Sequence, residues 1–225
     1  MLNVRNFVFS KEVVVMKLCY VTGNNGKFEE VRDFLAYEHS PVQIEQAPLP
    51  MFEIQSMDQK AVALDKARQA YAVLKRPLIV DDAAIYFNKY NQFPGVFTRY
   101  VYMGIGMDGM FKLVNPGDRA YFLLYLVYVD AQGREQIFEG RCDGVIVRPT
   151  VFKAHPDLPF DDIFLPDGSD LSYAELFGTP AFAPFAYRIQ AVKAFLAACV
   201  WNKLLRKSLM YFESFKAAGA DELHK

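Results

Sequence analysis

What this chain lacks narrows its chemistry first. Its formal net charge is only −1, from 25 Lys and Arg against 26 Asp and Glu. No positive excess is present to draw it to nucleic acid or to an anionic membrane surface, so any phosphate must be held by a local site. Cysteine is scarce: Cys19, Cys142 and Cys199 are an odd number at wide spacing, and they read as reduced core thiols rather than disulfides or metal ligands. A reducing compartment follows, and the cytoplasm is the expected location. The three histidines, His39, His155 and His224, have no metal-ligand spacing to one another or to a cysteine, which argues against a zinc site. Long apolar runs are missing too, since the longest, residues 121–129, is far short of the ~20 residues a membrane helix needs. Residues 1–15 interrupt their apolar side chains with Arg5, Lys11 and Glu12 and lack a small-residue cleavage pattern, so they read as an N-terminal extension rather than a signal peptide. No linker, low-complexity tract or internal repeat divides the chain.

What is there suffices for one folded domain. A chain of 225 residues, 52% hydrophobic and 15% aromatic, can bury a proper core; residues 16–207 are read as that domain and 208–225 as a C-terminal tail. Residues 17–21, Lys-Leu-Cys-Tyr-Val, are β-prone, and after a Gly/Asn cluster Phe28, Val31, Phe34 and Leu35 recur at helical spacing, which gives strand, loop, helix. In residues 58–76, Ala61, Leu64, Ala67, Tyr71 and Leu74 recur every three or four positions and predict a second helix, stopped by Pro77. Leu78-Ile79-Val80 reads as a buried strand that ends at the acidic pair Asp81-Asp82. Residues 120–129 and 136–147 flank the turn Asp130-Ala131-Gln132-Gly133 and predict an antiparallel hairpin. From Tyr187 to about Phe215 the apolar spacing predicts one long helix or two in tandem. Early βαβ character followed by a hairpin makes this an α/β protein with a mixed sheet.

The first turn carries chemistry. In Thr22-Gly23-Asn24-Asn25-Gly26-Lys27 a glycine-containing loop enters a helix N-terminus, where backbone N–H groups and the helix dipole favour an anion, and Lys27 adds a movable positive charge. The spacing is neither the P-loop nor the dinucleotide-binding pattern, and an ordinary left-handed turn with a solvated lysine fits this stretch equally well. Asp81-Asp82 at a strand end offers hard carboxylates of the kind Mg²⁺ takes beside water and substrate phosphates, with a helix cap or solvated turn as the alternative. Glu53 reads as a further metal carboxylate or as an exposed strand acid. By spacing alone Lys66 is a surface lysine and Phe93-Pro94-Gly95-Val96 a turn.

Taken in order, these pieces resemble the Ham1-type inosine triphosphate pyrophosphatase family. The matching residues are T-G-N-x-x-K-x-x-E from Thr22 to Glu30, E-I-Q at Glu53, Lys66-Ala67, P-L-I-V-D-D from Pro77 to Asp82 and F-P-G-V from Phe93 to Val96. Then come F-x-G-R-x-x-G-x-I-V from Phe138 to Val147 and F-D-D-I-F-x-P-D-G-x-x-x-S-Y-A-E-L from Phe160 to Leu176. The resemblance implies a long mixed twisted sheet with flanking helices, two lobes around a central cleft, and a homodimer. It implies a nucleoside triphosphate as substrate, neither nucleic acid nor membrane as partner, and Mg²⁺ as cofactor held by Glu53 and Asp82. Asp82 and Lys27 would be catalytic; Thr22, Gly23, Asn24, Asn25, Gly26, Lys27, Lys66, Ala83 and Arg99 would line the phosphate end. Phe160, Asp161, Tyr187 and Arg188 would meet the base. The departures gather at that base end, where the family's E-K-N-x-x-S-H-R stretch is replaced by residues 178–188. Its lysine is absent, Tyr187 stands for its histidine, and Phe182, Phe185 and Tyr187 are available to stack on a base or to repack without touching it. Asp82-Ala83-Ala84 likewise lacks the hydroxyl that the family carries after its metal acid, and Leu158-Pro159-Phe160-Asp161 has proline for glycine.

Overall fold

A computed structural model describes residues 16–153 and 158–201. The extension 1–15, the tail 208–225 and the last predicted helix beyond Trp201 lie outside the described residues. The elements run β1 (Met16–Tyr20), α1 (Asn25–Tyr37), β2 (Val42–Gln46), α2 (Gln59–Leu74), β3 (Leu78–Phe87), α3 (Thr98–Leu113), β4 (Arg119–Val129) and β5 (Glu135–Ile146). After them come β6 (Phe164–Pro166), α4 (Tyr173–Leu176) and α5 (Tyr187–Phe195), the last continuing as a π-helical turn, Leu196–Trp201. One six-stranded sheet has the order β2-β1-β3-β4-β5-β6; β1 is parallel to β2 and β3, and the pairs from β3 onward are antiparallel. This is the mixed α/β sheet expected from the sequence. No helix among the described residues is long and apolar enough to cross a membrane.

Alternation along the strands creates two cores. Leu18, Tyr20, Ile79, Phe122 and Leu124 face α1 and α5, while Cys19, Val21, Leu78, Val80 and Val127 face α2. All three cysteines are buried and none is in a disulfide among the described residues. Helix α2 starts on Asp58, whose carboxylate accepts from Lys60 N at 2.9 Å and Ala61 N at 3.2 Å, and ends before the left-handed Lys75. Its buried stripe is Val62, Ala63, Ala67 and Ala70. Of the predicted stripe only Ala67 is fully buried; the larger Leu64, Tyr71 and Leu74 flank it half-buried, because the small alanines let the helix axis approach the sheet.

The structure departs from the sequence reading at three points. The acidic pair does not end β3, which runs on to Phe87 paired with β4; it is β1 that ends, at Tyr20, leaving β3 without a strand neighbour on that side. Strand β2 and helix α3 had no counterpart in the sequence reading: β2 is only five residues long, and α3 carries Gly104, Gly106 and Gly109, with non-helical geometry at Gly106. Neither Gly23 nor Gly26 takes a positive φ, so the Thr22–Lys27 segment is not a left-handed turn. At Gly140 the reason for glycine is contact: an added Cβ would lie 1.7 Å from the Tyr187 carbonyl oxygen, so a side chain here would push α5 off β5.

Candidate functional site

Because successive strand residues point to opposite faces, Asp81 continues the side of Ile79 and Asp82 that of Val80. Each acid therefore meets a different helix. Asp81 points toward α1 and α5, where its carboxylate lies 3.0 Å from Lys27 Nζ, 3.4 Å from Arg188 Nε and 2.8 Å from the Tyr20 hydroxyl. Asp82 points toward α2 and accepts from Lys66 Nζ at 3.0 Å, and the same ammonium donates to Glu53 at 2.8 Å. Both acids line one cleft of about 650 Å³, since β3 has an open edge here.

The phosphate end predicted from sequence is brought together around that edge. Thr22, Gly23, Asn24, Lys27 and Ala83 line the cleft on the α1 side of the sheet, and Glu53, Lys66 and Arg99 line it as well. Asn24 caps α1, its side chain accepting from Lys27 N at 2.9 Å, while the Asn24 N–H donates to the Thr22 hydroxyl at 3.1 Å. Gly23 has open space where a Cβ would stand. Asn25 and Gly26 do not line the cleft: they form the first turn of α1, and Gly26 is buried.

Burial alone would raise the Asp81 carboxyl, but the Lys27 ammonium and the Arg188 guanidinium overcome it and hold the group well below the usual carboxylate range. For Lys27 burial prevails over Asp81, and its ammonium is lowered. Lys66 goes the other way: Asp82 and Glu53 together outweigh its burial and raise it. Glu53 is lowered, Lys66 again outweighing burial.

The pair Glu53 and Asp82 fits a magnesium ion. Each aims an oxygen at one point, where a positive charge, the Lys66 ammonium, already sits. Among the described residues no three His, Cys, Asp or Glu side chains form a metal cluster. Two hard carboxylates with the rest of the shell left to water and phosphate oxygens is the way Mg²⁺ is commonly held.

At the far end the walls are aromatic. Phe122, Tyr102, Phe160 and Tyr187 line the cleft; Tyr187 stacks on Phe122 with ring centroids 4.9 Å apart and 14° between planes, and Tyr102 meets Phe160 edge-on at 5.4 Å. Arg188 and Asp161 line this end as well. Arg188 is 1% exposed and pairs with Glu30 of α1, yet its Nη2, Glu30 Oε1 and the Tyr173 hydroxyl are buried with no hydrogen-bond partner among the described residues. Of the two alternatives for Phe182 and Phe185, the structure shows the repacked one. Phe182 packs edge-on against Tyr173 at 4.9 Å and Phe185 sits against the main core, and neither lines the cleft, because the proline-rich segment turns their rings inward.

Glu30, Phe122 and Tyr102 had been given no role from sequence, and Asp81 only a shared one with Asp82. Asp81 was visible beside Asp82, and the strand period alone would have placed it on the Lys27 side. Glu30 stands three residues after Lys27 on α1, a spacing that puts both on one helix face. Phe122 and Tyr102 carry no local signal.

Asp161 yields a pH prediction. Burial, with Glu30 nearby, pushes its carboxyl well above the usual range despite the pull of Arg188, so the folded protein keeps this proton to higher pH than the unfolded chain. Stability therefore falls as pH rises from the unfolded carboxylate value near ~4 through the raised folded one. Asp161→Asn, neutral throughout, removes that penalty. Its melting temperature relative to wild type is expected to improve from pH 5 to pH 8, and a parallel pair of stability curves would refute the buried proton.

The whole cleft falls inside the segment shared with known proteins. Residues 18–198 match the Ham1 family. The dITP/XTP pyrophosphatase of Methanopyrus kandleri is 31% identical over 182 residues, covering 80% of this chain and 94% of that protein. Inosine triphosphate pyrophosphatase 2 of Trypanosoma cruzi is 35% identical over 163 residues, covering 71% and 81%. In fold, the chain is similar to the Staphylococcus aureus Ham1 protein, with a TM-score of 0.64 at 19% identity over 80% of this chain and 96% of that one. With a family match that runs from β1 through α5 and takes in every residue of the cleft, this chain belongs to the Ham1 family.

Proposed function

We propose that this protein hydrolyses the triphosphates of non-standard purine nucleosides, ITP, dITP and XTP, to monophosphate and pyrophosphate with Mg²⁺, and so cleanses the nucleotide pool. One observation carries the reading: Lys27 and Lys66, each paired to a carboxylate, stand on the two faces of one open strand edge beside a helix N-terminus. That arrangement can take a polyphosphate on its cations and N–H groups, which releases a paired carboxylate to handle water. The names of the similar proteins from Methanopyrus kandleri and Trypanosoma cruzi support the same substrate class.

In the reaction a water oxygen bonds to the α-phosphorus as the bond from that phosphorus to the α–β bridging oxygen breaks. The bond's electron pair leaves with pyrophosphate, and Asp82 orients the water and accepts its proton. Lys27 and the N-terminus of α1 take the triphosphate, Lys66 and Arg99 approach it from the α2 side, and Glu53 with Asp82 holds the metal. When bound there, Mg²⁺ supplies charge neutralisation for the departing pyrophosphate. At the base end Arg188 Nη2 is a buried donor with no acceptor among the described residues, which suits a base edge that carries a keto oxygen.

A second reading, a pyrophosphatase of different base preference, is favoured by the aromatic lining and by the absence of any lysine or histidine among residues 178–188. Pyrophosphate release from ITP, dITP, XTP, the four standard ribonucleotides and modified pyrimidine triphosphates, with and without Mg²⁺, separates the two. Release confined to ITP, dITP and XTP is expected; release from none by folded protein would sink both.

A further inference from the structure

We infer that Lys66 is an internal counter-ion that keeps the Glu53–Asp82 pair closed to free divalent cations until a phosphate draws its ammonium away. The inference rests on the metal role proposed for those two acids. It follows from occupancy: the oxygens that accept from Lys66 Nζ, at 2.8 Å in Glu53 and 3.0 Å in Asp82, are oxygens that a shared cation would need. One point between two carboxylates holds one positive charge comfortably, and a divalent ion arriving alone must displace the ammonium.

The triangle is built into the fold. Lys66 projects from α2, which Ala63, Ala67 and Ala70, all fully buried, seat against the sheet. Glu53 sits in the segment between β2 and α2, and the same helix pins that segment through Gln69, whose side chain accepts from Phe52 N at 3.0 Å and donates to Phe52 O at 2.8 Å. Asp82 is fixed within β3. The three side chains are 14%, 24% and 11% exposed, so the triangle is not a loose surface pair. Lys27 cannot substitute for Lys66, because it is committed to Asp81 on the other face of the strand. Both ion pairs of Lys66 go to these two acids. A triphosphate in the cleft brings a stronger anion within reach of the flexible lysine stem, and the released carboxylates then face a metal delivered with that triphosphate. Metal and phosphate binding are thereby coupled, each raising the affinity of the other by the same factor.

The test is Mn²⁺ binding, as a probe for Mg²⁺, by calorimetry and electron paramagnetic resonance on the full chain with no phosphate present. Lys66→Gln is expected to bind Mn²⁺ about tenfold or more tightly than wild type, within the usual range of such couplings. Lys66→Arg, which keeps the charge in place, is expected to stay as weak as wild type. Arg99→Gln removes a positive charge from the same wall without freeing the two acids, and is expected to change affinity much less. Lys66→Met serves if glutamine at this position prevents folding. Equal affinity in wild type and both neutral variants would overturn the inference, as would an Arg99→Gln effect that matches Lys66→Gln; absence of Mn²⁺ binding in every form overturns it together with the metal role. Pyrophosphate release by wild type is read separately. Release with no Lys66 effect sinks only the counter-ion, and tighter Mn²⁺ binding in Lys66→Gln without release sinks only the hydrolase reading.

Discussion

Asp82→Asn is expected to lower kcat for pyrophosphate release by roughly 10²–10⁴-fold, the range seen when a positioned acid–base group is removed. The asparagine keeps the shape of the side chain but can neither take a proton from water nor offer a charged oxygen to the metal. Stability should fall by no more than about 1–2 kcal/mol, because Glu53 still pairs with Lys66 and the amide oxygen can still accept. Steady-state release with ITP, read beside the denaturation midpoint, separates the two effects. Near-wild-type turnover would refute the assigned role, and a lost fold would move Asp82 from chemistry to architecture.

Arg188→Met should produce the largest loss of stability. The guanidinium is the cation between Glu30 and Asp81, all three buried on the main-core side of the sheet. Asp81 retains Lys27, but Glu30 has no second ion pair among the described residues, and removing one partner of a buried pair typically costs about 3–5 kcal/mol. The sign of the pH dependence follows. Burial already raises Glu30 against the pull of Arg188, and without that pull its folded value rises further above the unfolded one. The loss should therefore be smaller at pH 5, where Glu30 can be protonated, and larger at pH 8. Adding Glu30→Gln should recover part of it, since no uncompensated acid then remains. Equal unfolding midpoints for wild type and Arg188→Met would show that the pair contributes nothing net.

The strands, helices and phosphate end were legible to different degrees. The β4–β5 hairpin was readable because β-branched and aromatic runs flank a turn whose Gly133 has φ of 78°. The first helix was readable because Asn24 caps it just before an apolar stripe. Helix α3 was not, since its glycines have little helical preference and it is held by what it packs against. The second helix was found but its buried face was misjudged: patterning marks large apolar side chains, whereas close packing selected the alanines.

What the sequence determined by itself is local. The residue types for phosphate and metal chemistry, their order along the chain and the mixed α/β class all depend on neighbours in sequence or on motifs that can be matched residue by residue. Only the tertiary structure decided how the acidic pair is used. From sequence, Asp81-Asp82 ends a strand as one acidic site; in the fold it lies inside β3, beside an edge that β1 leaves open, and the pleat sends the two carboxylates to opposite faces. Asp81 is thereby given to Lys27 and Arg188, and Asp82 to Lys66 and Glu53. The residues of these clusters are up to 158 positions apart in the chain, as Glu30 and Arg188 are, and no local pattern encodes a meeting that only the packing of helices on both faces of one sheet brings about.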